Sequence, residues 1–123
     1  MRKFFFVLVI ILSGCVTDRN FNQSNVCDIF KTNPQWKSYA EKTKEKWGVP
    51  VSLQLSFIKQ ESSFNRTARP PRQKVLGFIP GLRASSAYGY SQALDGTWEE
   101  YKQSTGNYNA DRKNFADASD FIG

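Results

Sequence analysis

Apolar positions spaced three and four residues apart recur in four segments of the chain, as expected for helices that bury one face. In one segment Leu53, Phe57 and Ile58 form an apolar stripe. In another, Trp36 and Ala40 lie opposite a face of lysines and glutamates. No strand-rich run occurs, so the pattern predicts a mainly α fold. The predicted helices are 34–47, 51–62, 94–106 and 114–123.

Residues that favour helix ends flank these segments. Pro34 suits the first position of a helix capped by Asn33, and Gly48 suits its end. Asp95 is expected to cap the third helix. These residues therefore predict where the helices begin and end.

The first residues have the pattern of an export signal. Arg2 and Lys3 precede nine apolar residues, 4–12, which are too few to span a bilayer core that needs about 20. "LSGC" follows, and it resembles the lipobox of bacterial lipoproteins, in which the cysteine is acylated after cleavage. We therefore predict a signal peptide at 1–14, acylation of Cys15 and a tether at 15–32. An ordinary signal peptide is the alternative.

By the same resemblance, Val16 after the cysteine favours an outer-membrane location facing the periplasm. Cleavage would leave 15 basic residues against 11 acids, a net charge of +4, because Arg2 and Lys3 are removed. A basic exported protein suits an anionic cell-wall polymer or lipid head groups. Nucleic acid is not expected as a partner.

The stretch between Glu61 and Asp95 contains five basic residues and no acid. Prolines and glycines make it irregular, and a loop of this length is either functional or disordered. Its cations are Arg66, Arg69, Arg72, Lys74 and Arg83.

The absence of histidine excludes Ser-His and Cys-His catalytic pairs and the usual zinc sites. We predict no metal and no cofactor. If Cys15 is acylated, Cys27 has no partner for a disulfide within the chain, and it is expected to be a small buried residue, with a mixed disulfide as the alternative.

Glu61 is the candidate for acid–base chemistry. It follows Phe57 by four residues and Ile58 by three, so it is predicted to share their apolar face. Partial burial and the negative end of the helix dipole would both favour a protonated carboxyl group, which can act as a general acid. A basic side chain of the following loop would oppose protonation of Glu61, because it favours the charged carboxylate. The simpler interpretation is a solvated carboxylate at a helix end.

Two motifs resemble the SLT-type lytic transglycosylase domain, which is related to goose-type lysozyme. "FIKQESSFN" at 57–65 is similar to its Glu-Ser helix end with a following Phe-Asn pair. "AYGYSQALDGTW" at 87–98 is similar to its Gly-x-x-Gln turn before a helix, and "VPVSL" matches the start of the first motif's helix. The resemblance covers about residues 45–123 and implies a lysozyme-like helical domain at 33–123.

The resemblance also implies a reaction. It is cleavage of the β-1,4 bond between N-acetylmuramic acid and N-acetylglucosamine of peptidoglycan. Glu61 would protonate the leaving oxygen and then act as base toward the sugar's own 6-hydroxyl, which gives a 1,6-anhydro product. One carboxylate is enough for this route, whereas most glycosidases need two.

Further substrate contacts are implied at the two motifs. Ser62 and Ser63 would orient the carboxylate or bind the sugar, with helix C-terminal capping as the alternative. The other implied contacts, for which a plain turn or core packing is the alternative, are Tyr88, Gly89, Tyr90 and Gln92.

The chain departs from the family pattern at two places. Ser91 occupies a position where the family usually has methionine, and the later Tyr-Asn-Ala-Gly-like turn has no match, because "GNYNA" at 106–110 comes too early. We therefore expect a domain that is incomplete at its C-terminus. Alternative functions are a lipoprotein that binds peptidoglycan without cutting it and a structural envelope lipoprotein.

Overall fold

The computed structural model describes residues 21–123, and this part of the chain is mainly α, as predicted. None of its helices is long and apolar enough to cross a membrane. In chain order the elements are α1 (Val26–Thr32), α2 (Pro34–Trp47), α3 (Val51–Ser62), β1 (Arg72–Val75), β2 (Ile79–Arg83), α4 (Asp95–Thr105) and α5 (Phe115–Ile122).

The bounds of α2 and α3 agree with the prediction, and α4 and α5 differ from it by one residue at each end. Gly48 ends α2 with a φ of 79°, a left-handed conformation that glycine adopts without strain. Asn33 is the N-terminal cap residue of α2, as predicted, but its side chain forms no capping bond. The predicted cap Asp95 is wrong, because Asp95 is the first residue of α4 and Leu94 precedes it.

The tether predicted at 15–32 is wrong for residues 26–32, which form α1. Ile29 of this helix is 2% exposed and belongs to the core, while Phe21 packs against the same core. Cys27, predicted to be buried, is exposed on α1. The predicted signal peptide and Cys15 lie outside the described residues.

An aromatic cluster around Trp36 holds the helices together. The Trp36 ring stacks on Phe115 with centroids 4.1 Å apart, and on Phe64 at 5.8 Å. Tyr90 meets Trp36 and Phe115 edge-on. Offset and edge-on pairs each add about 1 kcal/mol to the apolar burial. The cluster therefore joins α2, α5 and both sequence motifs.

A buried polar network connects α2, α3 and α5. Gln54 Nε2 donates to the carbonyl oxygens of Ala40 (3.0 Å) and Val49 (2.9 Å). Ser119 Oγ donates to Gln54 Oε1 at 2.6 Å and lies 3.2 Å from Thr43 Oγ1. Because these polar groups find partners, they are buried without the usual desolvation cost.

Asp120 joins α5 to α2 and α4. Its carboxylate accepts hydrogen bonds from Lys46 Nζ (2.9 Å), Trp47 Nε1 (2.8 Å) and the Tyr101 hydroxyl (2.8 Å). Burial acts to raise the pKa of Asp120, but these three donors and the charge of Lys46 hold it below its ordinary value. Burial and the bond to Asp120 raise the pKa of Tyr101.

The irregular stretch predicted between Glu61 and Asp95 contains an antiparallel hairpin of β1 and β2. Residues 71–80 are all exposed, and the strands pair Arg72 with Arg83 and Val75 with Ile79. The hairpin therefore has no buried face within the described part of the chain.

Candidate active site

α3 carries Glu61 as its penultimate residue. The helix ends because the next two residues turn left-handed, with φ of 48° at Ser63 and 57° at Phe64. The Ser63 N–H donates to the carbonyl of Lys59 at 2.9 Å, and the Phe64 ring is buried in the aromatic cluster. The position of Glu61 is thus held by a helix end that packs into the core.

The predicted apolar face of α3 is correct for Ile58, which is fully buried, and wrong for Leu53 and Phe57. The helix buries Gln54, Leu55, Ile58 and Ser62, whereas Leu53 and Phe57 are 57% and 42% exposed. Glu61 follows Leu53 and Phe57 at intervals of four residues and is exposed with them. We call Leu53, Phe57 and Glu61 the open face of α3. Glu61 therefore has exposed apolar neighbours but is not itself buried.

The carboxylate of Glu61 has no hydrogen bond or ion pair with any residue in 21–123. Arginines of the basic stretch contact other groups. Arg72 donates to the Gly81 carbonyl, Arg83 donates to the Pro70 carbonyl, and Arg69 lies 4.0 Å above the Tyr88 ring. The carboxylate is consequently available to a ligand oxygen.

The two predicted serines differ in their surroundings. Ser62 is 8% exposed, and its hydroxyl donates to the carbonyl of Ile58 at 3.0 Å. Ser63 is exposed, and its carbonyl accepts a hydrogen bond from Gln23 Nε2 at 3.3 Å. Both serines thus have the helix-end role given above as the alternative, since Ser63 is the C-cap residue and its hydroxyl donates to the Lys59 carbonyl at 3.4 Å, but only Ser63 is also accessible to a ligand.

Gly89 packs against a distant part of the chain. Its φ is 76°, and a Cβ atom at this position would lie 2.1 Å from the carbonyl oxygen of Arg112. The Gly89 N–H donates to the Ala68 carbonyl at 3.0 Å, and the Tyr90 N–H donates to the Arg112 carbonyl at 3.1 Å. These contacts require glycine here without any ligand.

Gln92 connects the two motifs. Its Nε2 donates to the carbonyls of Ala68 and Gly89, both at 2.9 Å. Ala68 follows the first motif and Gly89 lies in the second, so the Gln92 side chain holds the two turns together. Gln92 itself has a φ of 52°, which is uncommon for a residue other than glycine.

The side chains of Tyr88 and Tyr90 lie in different surroundings. Tyr90 is 4% exposed and packs in the aromatic cluster; burial raises the pKa of its hydroxyl, and the charge of Arg66 opposes this. Tyr88 is half-buried between two cations, with the guanidinium groups of Arg69 and Arg112 at 4.0 and 5.4 Å from its ring centroid. The ring of Tyr90 is therefore a core element.

Sequence reasoning did not identify Arg112. Its guanidinium group pairs with Asp95 at 2.7 Å and donates to the carbonyl of Ala93 at 2.9 Å. It also lines a cavity of about 260 Å³ beside the second motif. A single arginine in a polar segment has no sequence signal that would reveal this. The other residues lining the cavity are Arg69, Arg83, Ser85, Ser86, Ala87, Tyr88 and Asp95.

The cavity and Glu61 are separate features, since Glu61 does not line it. Three guanidinium groups and two serine hydroxyls favour an anion, although Asp95 already pairs with one of the arginines. Residues 21–123 contain no group of three or more His, Cys, Asp or Glu side chains that could hold a metal ion.

Comparison with curated proteins finds no match to this chain, and comparison with solved structures finds none either. A family profile, in contrast, matches residues 3–123, which is nearly the whole chain. The family is described as "Transglycosylase SLT domain". This confirms the resemblance of the two motifs and indicates a transglycosylase-type activity on peptidoglycan of the cell envelope. The chain therefore belongs to the transglycosylase SLT domain family and has its lysozyme-like, mainly α fold.

Proposed function

We propose that this protein is a lytic transglycosylase that cleaves the β-1,4 bond between N-acetylmuramic acid and N-acetylglucosamine, with Glu61 as its one catalytic carboxyl group. The observation that carries the proposal is the open face of α3. There a glutamate without a protein partner in residues 21–123 follows two exposed apolar side chains, in a chain of the transglycosylase SLT family. Apolar side chains at the surface suit the C–H faces of sugar rings.

The reaction moves two protons, one from Glu61 to the leaving oxygen and one from the substrate's 6-hydroxyl back to Glu61. Glu61 as acid protonates the glycosidic oxygen, and the bond from that oxygen to C1 of the muramic acid breaks. The resulting carboxylate then takes the proton of the 6-hydroxyl as its oxygen bonds to C1. The products are a free 4-hydroxyl and a 1,6-anhydro sugar, and no water is consumed.

The surroundings of Glu61 are consistent with a single-carboxylate route. The next acid along the chain is Asp95, and it pairs with Arg112 at 2.7 Å. Two-carboxylate glycosidases need a second group about 5 to 9.5 Å from the first, free to act as nucleophile or base. A carboxylate engaged by arginine is poorly suited to either role.

Substrate contacts are proposed at the exposed residues around the two motifs. Ser63 and Tyr88 are accessible to a sugar, while Ser62, Gly89, Tyr90 and Gln92 would act mainly through the backbone geometry that they maintain. The arginine-lined cavity suits the lactyl or peptide carboxylates of the polymer.

We also propose that the protein is anchored through acylated Cys15 to the outer membrane, facing the periplasm. The "LSGC" sequence supports this. We expect the parent chain to incorporate a labelled fatty acid and the Cys15→Ser variant to incorporate none. Equal incorporation by both would contradict the anchor.

The proposed activity is tested with purified sacculi. The full chain is expected to release 1,6-anhydromuropeptides, identified by mass spectrometry, and Glu61→Gln should reduce release by about 10² to 10⁴-fold because the proton donor is lost. Glu45→Gln is the matched control, since Glu45 is also exposed near the end of a helix. It should leave release unchanged.

Release that survives Glu61→Gln would exclude Glu61 as the acid. Sacculus binding by the parent chain without release would instead indicate a module that binds peptidoglycan. Folding of each variant is checked by its thermal unfolding, which the substitution of an exposed side chain should leave unchanged within about 0.5 kcal/mol.

A further inference from the structure

The β1–β2 hairpin exposes an unusual amount of apolar surface. Five of its apolar side chains are between 44% and 84% exposed, whereas exposed apolar residues on the helices are scattered along the chain. Leu76 and Phe78 at the tip are 79% and 75% exposed, and Leu82 on β2 is 84% exposed. The other two are Val75 and Ile79.

These side chains do not stabilise the hairpin against the rest of the described chain. β1 and β2 pair only with each other in a sheet of two strands, and every strand residue except Gly81 is exposed. A lone two-stranded hairpin is marginally stable in water unless a third strand, a helix or another surface covers one face. The exposed apolar side chains of the hairpin therefore lack the second surface against which one face of a two-stranded sheet normally packs.

The turn adds a second, independent observation. Its central residues, Leu76 and Gly77, both have positive φ, 53° and 80°. Hairpin turns of this kind favour Asn-Gly, because a leucine is strained in the left-handed region. Leu76 gains little contact within residues 21–123 in return. Strain of this kind is typical of a position selected for an external contact.

The charges beside the apolar tip are all positive. Arg72, Lys74 and Arg83 lie on the two strands and are exposed, and no acid occurs between Glu61 and Asp95. Arg72 and Arg83 are directly opposite each other in the register. Like charges at such positions destabilise a hairpin, and a bound anion relieves their repulsion.

We propose that the hairpin is a membrane-contacting element that inserts its apolar tip into an anionic lipid surface. Leu76, Phe78 and Leu82 would enter the boundary between head groups and acyl chains. Lipid phosphates would be bound by the ammonium group of Lys74 and by the N–H groups that Arg72 and Arg83 do not use for the Gly81 and Pro70 carbonyls. An apolar surface beside basic residues is the combination by which peripheral proteins bind anionic bilayers.

The length of chain before the folded part also favours a lipid surface. Phe21 already packs on Phe64 and Trp36, with centroids 5.7 and 6.5 Å apart. Phe21 is six positions after Cys15, and an extended chain over six positions reaches at most about 20 Å. If Cys15 carries the proposed lipid, the helical body and its hairpin are held close to the bilayer.

The first experiment places a tryptophan on the hairpin of the full chain. Phe78→Trp is compared with Tyr108→Trp, whose position is 66% exposed and lies outside the hairpin. Both variants are bound to vesicles of phosphatidylethanolamine and phosphatidylglycerol that contain a brominated lipid, and the emission of the parent chain is subtracted. We expect quenching at position 78 to exceed that at position 108 by about threefold or more, with a blue shift.

Lipid charge and the apolar tip are then varied separately. Replacing phosphatidylglycerol with phosphatidylcholine should lower the quenching at position 78, because each basic residue near an anionic surface contributes about fivefold to binding. Leu76→Asn with Leu82→Asn, in the Phe78→Trp chain, should reduce it to the level at position 108. Leu94→Asn is the control, since Leu94 is 47% exposed outside the hairpin. Asparagine suits the turn at position 76, so Leu76→Asn alone should also lower the quenching, and loss of the hairpin cannot explain that result.

Three results would overturn the proposal. Equal quenching at positions 78 and 108 in anionic vesicles would show that the hairpin remains in water. If the tryptophan introduced by Phe78→Trp is protected from acrylamide without vesicles, another part of the chain or a second copy covers it. Loss of sacculus binding in the Leu76→Asn, Leu82→Asn variant, with vesicle quenching unchanged, would assign the surface to the wall polymer. None of these readouts depends on Glu61 or on cleavage.

Discussion

The two faces of α3 contain similar apolar residues but use them differently. The buried face carries Leu55 and Ile58 at 3% and 0% exposure, together with Gln54, whose amide forms three hydrogen bonds. The open face carries Leu53 and Phe57, which remain largely exposed, and Glu61, which has no partner within residues 21–123. One face therefore stabilises the fold, while the other is available to a ligand.

The largest difference between the faces is expected for truncation of Ile58. Ile58→Ala should lower the free energy of unfolding by about 4 kcal/mol, because it leaves a cavity in the core. Phe57→Ala on the open face should cost less, about 1 to 2 kcal/mol, because the ring is 42% exposed, but it should weaken sacculus cleavage. Urea unfolding followed by tryptophan fluorescence measures both. Equal losses of stability would contradict the division into two faces.

Gln54 tests whether the buried face depends on its polar network. Gln54→Met keeps a similar volume but removes the partners of the Ala40 and Val49 carbonyls and of Ser119, at a cost of about 3 kcal/mol in urea unfolding. Ser56→Ala is the control, since Ser56 is exposed and bonds only to the carbonyl of Ser52. A loss no larger than that of the control would show that the network contributes little.

Asp120, which joins α5 to α2 and α4 rather than to α3, gives the stability of the fold a pH dependence. Its pKa lies below the ordinary value of 3.8, so its stabilising contribution is complete above that pH and is lost as the pH falls through the lower pKa of the folded protein. Asp120→Asn should cost about 2 kcal/mol at neutral pH.

The difference in unfolding free energy between the parent chain and Asp120→Asn should narrow as the pH is lowered from about 5 toward about 3. Glu99→Gln is the control, because Glu99 forms an exposed pair with Lys102 and should contribute about 0.3 kcal/mol. A difference independent of pH would argue against the ionised Asp120 as the source of the stability.

The smallest effect is expected at Ser91, a buried polar residue without a partner in residues 21–123. It is 4% exposed, so its hydroxyl carries a desolvation cost that Gln54 avoids. Ser91→Ala should raise the unfolding free energy by about 1 kcal/mol in the same urea measurement. A loss of stability would indicate a bound water or another partner for the hydroxyl.

Helix bounds could be predicted from the sequence because they depend on local residues. Pro34 and Gly48 set the limits of α2, and α3 also has its predicted range. The buried face of α3 could not be predicted, because apolar periodicity favours Leu53 and Phe57 over Gln54. What buries Gln54 is its bonds to Ala40, Val49 and Ser119, two of which lie far from it in sequence.

Neither the hairpin nor the contacts of Arg112 could be predicted from the sequence, and the reasons are related. "VLGFI" at 75–79 has neither the Asn-Gly turn nor the alternating pattern by which hairpins are identified. Arg112 acts through contacts with Asp95 and with the backbone beside Gly89, both far away in the chain. For Glu61 the sequence left partial burial and a solvated helix end as alternatives, and the structure shows the exposed side chain.

α5 also determines when the fold can form. Ser119 and Asp120 contact Thr43 and Lys46 across more than seventy residues of sequence, and Phe115 stacks on Trp36. During synthesis, the surfaces of α2 and α3 that pack against α5 therefore stay exposed until residues 115–122 have been made. Since contacts of such long range slow folding, the chain remains exposed to proteases and to aggregation until α5 docks.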